Sequence, residues 1–171
     1  MNKKIVGYVS AMLLSILIVA CNNKEETVSS SAFQENQEAV MSNAVPLQDF
    51  SQEITSSAPL KSLKADEKAT MQVTVKNTGT EPWPSKGIDD KNTNRVGLGY
   101  HWFDNSGKAI REGRASLPST LQQGSSVTLE VKIQAPSQPG DYELRFSMVQ
   151  EHVAWFNNKG AKPYSIKVAV E

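Results

Sequence analysis

Val96-Gly97-Leu98-Gly99-Tyr100-His101-Trp102-Phe103 alternates strictly in side-chain character, which is the mark of a half-buried β-strand. Successive side chains of a strand point to opposite faces, so Val96, Leu98, Tyr100 and Trp102 share one face and Gly97, Gly99, His101 and Phe103 the other. The first set is large and apolar and belongs against a core. The second carries two glycines, which leave a shallow trough where another part of the molecule can approach the backbone closely. Downstream, Pro139-Gly140-Asp141-Tyr142-Glu143-Leu144 opens another strand, with a tyrosine at its start and an apolar residue two positions on.

The same rule holds outward from these two stretches. From Leu47 on, short alternating runs are separated by Gly, Pro, Asn and Ser, predicting strands at Gln52–Ser57, Ala69–Asn77, Arg95–Asp104, Ala109–Glu112, Ser125–Gln134, Tyr142–Gln150 and Pro163–Val170. Met71, Val73 and Val75 share a face in one of them, and Val127, Leu129, Val131 and Ile133 in another. Asn77-Thr78-Gly79-Thr80 and Asp104-Asn105-Ser106-Gly107 supply turns, because Asn and Gly tolerate positive φ. About seven strands at this spacing predict an all-β domain, a β-sandwich in preference to an up-and-down barrel. Trp102 on the inner face of the third main strand and Tyr142 at the start of a late one fit the core tryptophan and the tyrosine corner of immunoglobulin-like sandwiches. The chain holds one cysteine, Cys21, so no internal disulfide is available and the core rests on apolar packing.

The N-terminus reads as a sorting device. Met1-Asn2-Lys3-Lys4 is a basic start, and Ile5 to Ala20 is a 16-residue stretch without a charge. A membrane-spanning helix wants about 20 apolar residues, whereas this run is shorter and ends on a small residue directly before Cys21. Leu17-Ile18-Val19-Ala20-Cys21 resembles the lipobox of bacterial lipoproteins. That resemblance implies a signal peptide over residues 1–20, cleavage before Cys21, acylation of Cys21 with palmitate-type chains, and an extracytoplasmic, membrane-anchored protein. Asn22 in place of Asp resembles the outer-membrane class, should the source be a diderm bacterium. Residues 21–46, rich in Asn, Ser, Glu and Gln, predict a flexible, disordered linker with at most a short helix near Phe33–Met41. A coil of about 25 residues reaches roughly 25–30 Å.

Charge narrows the partners. The 18 basic and 18 acidic residues cancel; Lys3 and Lys4 leave with the signal peptide, and the linker sets Lys24 against Glu25, Glu26, Glu35 and Glu38. Residues 47–171 are nearly neutral and offer no basic surface for nucleic-acid phosphates. The run Val73 to Gly79, Pro82-Trp83-Pro84, Val96 to Trp102, Arg114 to Pro118, Ala135-Pro136, Pro139 to Leu144, and Glu151 with Trp155-Phe156 and Gly160 resembles an immunoglobulin-like accessory domain attached to bacterial glycosyltransferases and other cell-envelope polysaccharide proteins. It is also similar to the tryptophan-marked domain of autophagy receptors. The resemblance implies a non-catalytic module.

Two readings of the candidate site stand side by side. In one, Trp83 or Trp155 lies over the glycine trough and is ordinary packing. In the other, Trp83, Trp155 and Phe156 present an apolar platform with His101, Arg114 and Glu151 as polar flanks, binding an envelope glycan (polysaccharide, lipopolysaccharide or peptidoglycan) or an envelope protein. An exposed edge strand is a further docking route for a protein. No catalytic residue, metal or cofactor is expected: the only histidines are His101 and His152, no serine sits in a nucleophile-elbow context, and Asp89-Asp90 reads as a solvated turn.

Overall fold

The computed structural model describes residues 45–171. The expected signal peptide, Cys21 and the linker up to residue 44 lie outside the described residues. Nine strands form among those described: β1 (Gln52–Thr55), β2 (Ser62–Leu63), β3 (Lys68–Asn77), β4 (Val96–Phe103), β5 (Ala109–Ser116), β6 (Ser126–Gln134), β7 (Gly140–Gln150), β8 (Ala154–Trp155) and β9 (Tyr164–Val170). All seven expected strands are present, and the fourth of them runs on to Ser116. The two that were not anticipated, β2 and β8, are two residues long and too short to show a period.

Two sheets face each other. The smaller has the order β1-β3-β6; the larger has the order β2-β9-β7-β4-β5, with β8 pairing alongside β7. The chain crosses from one sheet to the other between β1 and β2, and β2 then runs parallel to β9 with Leu63 opposite Val170. Other pairings are antiparallel, including the register Trp102↔Leu144 between β4 and β7. This is an immunoglobulin-like β-sandwich.

The core follows from the alternation. Met71, Val73 and Val75 from β3 and Leu129, Val131 and Ile133 from β6 meet Val96, Leu98, Tyr100 and Trp102 from β4 and Leu144, Phe146 and Met148 from β7, all buried. Trp102 stands edge-on to Tyr142, centroids 6.1 Å apart, and the Tyr142 hydroxyl donates to the Gln138 carbonyl at 2.8 Å. That bond makes the tyrosine corner and fixes the turn into β7. Burying these aromatic and aliphatic faces supplies the cohesion that a disulfide gives related sandwiches, at about 25 cal/mol per Å² of apolar surface.

Of the two turns expected to use positive φ, Asp104–Gly107 does so at its glycine, whereas neither Asn77 nor Gly79 does, and the second turn is held by the Asn77 side chain instead. Asp104 accepts from the backbone N–H groups of Ser106 and Lys108, and Gly107 takes φ of 80° to close the β4–β5 hairpin. Asn77 is fully buried, with its amide donating to the Glu81 and Leu121 carbonyls and its side-chain oxygen accepting from Gly79. Gln52 fills a gap in the larger sheet. Between the end of β9 pairing at Phe146 and the start of β8 pairing at Val149, the Met148 N–H has no strand partner and donates instead to Gln52 Oε1 at 2.8 Å.

Candidate functional site

The outer face of the larger sheet is built by register. Rows across β7, β4 and β5 are Ser147–Gly99–Arg114 and Arg145–His101–Glu112, with Glu143 and Phe103 paired in the next row. β7 ends in a turn at Glu151–Val153, and β8 folds back to pair Trp155 with Val149. That hairpin throws the Trp155 indole over the glycine trough. A Cβ on Gly99 would sit 2.3 Å from Trp155 Cη2, so only glycine leaves room for the ring.

Around Trp155 the side chains form a ladder. The Arg114 guanidinium lies 4.3 Å from the Trp155 ring centroid, and the His101 ring 4.3 Å away on a 44° tilt. His101 is 5.8 Å from Phe103, and the Arg145 guanidinium lies 4.3 Å from the Phe103 centroid. Acidic groups hold the ladder from its flanks. Glu112 Oε2 is 3.0 Å from His101 Nε2 and 3.6 Å from Arg114; Glu151 Oε1 is 3.3 Å from Arg114 Nε and 3.6 Å from Arg95; Glu143 pairs with Arg145 at 2.9 Å. Cation–π contacts of this kind contribute about 0.5–1 kcal/mol each where partly exposed.

Burial pushes the His101 imidazole below its ordinary value of 6.5; Glu112 pulls it back only in part, and the Arg114 and Arg145 guanidiniums add to the depression. The neutral ring, protonated at Nε2, donates to Glu112 without a second proton.

Four of the six predicted site residues therefore come together: His101, Arg114, Glu151 and Trp155. The other two do not. Trp83 and Phe156 are fully buried, so neither can offer a face to a ligand. Trp83 pairs backbone-to-backbone with Leu121, and its ring meets Phe156 edge-on at 5.3 Å, while Phe156 meets Phe50 at 5.1 Å. The turn Phe156–Lys159, closed by left-handed Gly160 with φ of 95°, is what folds Phe156 beneath the sheet. The expected platform of three aromatics is thus one core cluster plus a single ring already in contact with Arg114 and His101.

Alternation put Phe103 on the face of His101, as found, without giving it a part in the site; Glu112 and Arg145 were missed, because their place follows from strand register, which alternation alone does not fix. Among the described residues no group of three or more His, Cys, Asp and Glu is arranged to hold a metal ion. None of the described helices is long and apolar enough to cross a membrane.

A family model described as the Ig-like domain from next to BRCA1 gene matches residues 56–159, which is more than half the chain. The chain belongs to this family. The matched stretch of the Ig-like domain runs from just after β1 through the Phe156–Lys159 turn and so contains the whole ladder. No curated protein matches. Among solved structures, a CARDB domain from Pyrococcus furiosus, crystallised with di-metal ions, is 19% identical, with 71% of this chain and 86% of that one covered and a TM-score of 0.38. A β-glucosidase from Listeria innocua is 14% identical over 72% of this chain and 16% of its own, at a TM-score of 0.43. The sporulation control protein Spo0M from Bacillus subtilis is 11% identical over 71% of this chain and 49% of its own, at 0.43. None of these likenesses bears on function.

Proposed function

We propose that this chain is a lipoprotein, anchored outside the cytoplasm through acylated Cys21, whose Ig-like domain is a non-catalytic module that docks a protein at the cell envelope. The observation that carries the docking is β5: an eight-residue strand that, among the described residues, pairs only with β4, leaving its outer edge free. A free edge is a template for an added strand, whose backbone bonds give affinity while side chains on either face give selectivity. The ladder lies directly beside it and its ion pairs hold Arg114 and Glu112 in fixed geometry at the edge. Stacking of an envelope glycan is less well supported. Trp83 and Phe156 are core, and a sugar would have to displace Arg114 from Trp155.

The test is a photo-crosslinking residue placed at Glu112 or Ser116 of β5 and, separately, at Gln72 on the outer face of the smaller sheet, in cells making the lipidated protein. A discrete protein adduct from β5 alone is expected. Equal yields from both positions, no protein adduct, or a glycan bound by the wild type and lost in Trp155→Ala would overturn the docking reading. The anchor has its own check: Cys21→Ser should end lipid labelling and move the protein from the membrane to the soluble fraction, and a protein that stays membrane-bound would refute it.

A further inference from the structure

The free edge of β5 reads Ile110-Arg111-Glu112-Gly113-Arg114-Ala115-Ser116, and its charges are arranged about a centre. Glu112, Arg114 and Ser116 lie on the outer face, opposite His101, Gly99 and Gly97 of β4; Gly113 and Ala115 lie inward. Glu112 is 59% exposed at its side chain: the neutral His101 ring donates it a hydrogen bond, and the one charge facing it is Arg114, itself 29% exposed at 3.6 Å. A second β5 running antiparallel can meet this edge in a few registers, and the charges choose among them. Centred on Gly113, Glu112 faces the partner subunit's Arg114, and Arg114 faces the partner subunit's Glu112. Centred on Glu112, two carboxylates face each other, and centred on Arg114, two guanidiniums do. Centred between Glu112 and Gly113, Arg111 opposes Arg114, whereas one half-step the other way pairs neither charge with its opposite. Cross-strand pairs of opposite charge stabilise and like charges directly opposite destabilise.

Gly113 suits the central position for a second reason. A Cβ there would lie 2.4 Å from the Tyr100 ring, so the residue is held as glycine, and the centre of the ribbon carries no side chain that could disturb the flanking Glu112 and Arg114 pairs. The same register places Ile110, exposed at 40% by the bulge between Trp102 and Phe103, across from the partner subunit's Ser116 at each end of the ribbon.

We infer that the partner docked on β5 is a second copy of this chain, added antiparallel about Gly113 so that the larger sheet runs unbroken through a two-fold dimer. The inference rests on the protein-docking reading above and names its partner. Residues opposite one another in an antiparallel pair have Cα atoms about 4.5–5.5 Å apart, within disulfide range. The lipidated chain carrying Glu112→Cys and Arg114→Cys together, reconstituted in phospholipid vesicles, should therefore give a disulfide-linked dimer under mild oxidation, while Gln72→Cys should not. In the Cys21→Ser chain lacking residues 1–20, light scattering should show a dimer that Glu112→Arg or Arg114→Glu weakens by about tenfold or more. The double reversal Glu112→Arg/Arg114→Glu should restore it, although the Arg114 contact with Trp155 is gone, which separates pairing from general damage to the face. A wild-type monomer at about a hundred micromolar with no cross-link, or a double reversal as weak as the singles, would overturn the inference. A β5 photo-adduct of a mass other than two copies would overturn it too and leave the docking reading standing; no adduct at all removes both.

Discussion

Gly99 sets the position of Trp155 by having no side chain. Replacing it with alanine puts a Cβ 2.3 Å from the indole, and neither the β4 backbone nor the β8 hairpin can yield that much without moving the ring. Gly99→Ala should lower stability by about 1–3 kcal/mol, the usual cost of overpacking. Because Trp83 and Trp102 are fully buried, a red shift of tryptophan emission at unchanged far-UV circular dichroism would report Trp155 leaving the trough; an unshifted spectrum would refute the packing described. His101 makes the second residue-scale prediction. Its folded-state pKa lies below the ordinary 6.5, chiefly through burial, so between those two values the unfolded chain binds more protons than the folded one. By linkage, stability then rises with pH across that window: it is intact above 6.5 and is lost as pH falls toward the folded value. His101→Gln keeps a donor for Glu112 and should flatten this part of a denaturation-versus-pH curve. A wild-type curve that rises on acidification through the window would contradict the burial of the imidazole.

At the level of elements, the corner into β7 is held by one hydroxyl. Tyr142→Phe keeps the ring against Trp102 but removes the 2.8 Å bond to the Gln138 carbonyl, and should cost about 0.5–1.5 kcal/mol in urea unfolding. A loss above that range would mean the ring itself had moved. This corner, Trp102 and the alternating strands were all legible in the sequence, because each follows from side-chain period or from a local turn that proline, glycine or asparagine marks. β2 and β8 were not, since two residues carry no period and owe their pairing to β9 and β7. The site was half legible for the same reason. Alternation put His101 beside the two glycines and suggested an indole over them, and Trp155 is that indole. It could not distinguish Trp155 from Trp83: the two tryptophans differ in what their loops do, one a hairpin thrown over the outer face, the other a bridge to Leu121 that closes the end of the sandwich. Nor could it place Arg145 opposite His101, a fact of inter-strand register.

At the scale of the whole molecule, the first described residues are part of the domain. Gln150 is fully buried at the end of β7, where its side-chain oxygen accepts from the Leu47 N–H at 2.9 Å and its amide donates to the carbonyls of Val45 at 2.9 Å and Asn94 at 3.1 Å. These bonds reach back to Val45, ahead of the start at Leu47 that composition suggested, while Leu47 is buried and Phe50 packs edge-on against Phe156. Because the strap that Gln150 holds begins at Val45, a chain starting at Val45 should unfold at the same urea midpoint as the mature protein. A chain starting at Ser51 gives up the burial of Leu47 and Phe50, at about 1.5–3 kcal/mol for each side chain fully removed from water. Gln150→Leu in the longer chain removes the three hydrogen bonds that Gln150 makes to the Leu47 N–H and to the Val45 and Asn94 carbonyls, and should cost about 2–4 kcal/mol, since each such bond contributes about 0.5–1.5 kcal/mol net. In the chain starting at Ser51 the same substitution should cost much less, because two of the three groups it abandons are already gone. A double-mutant cycle between the truncation and Gln150→Leu measures that difference as an interaction energy. Additive losses would mean that Gln150 acts through Asn94 alone and that the strap from Val45 to Phe50 is held by its apolar contacts.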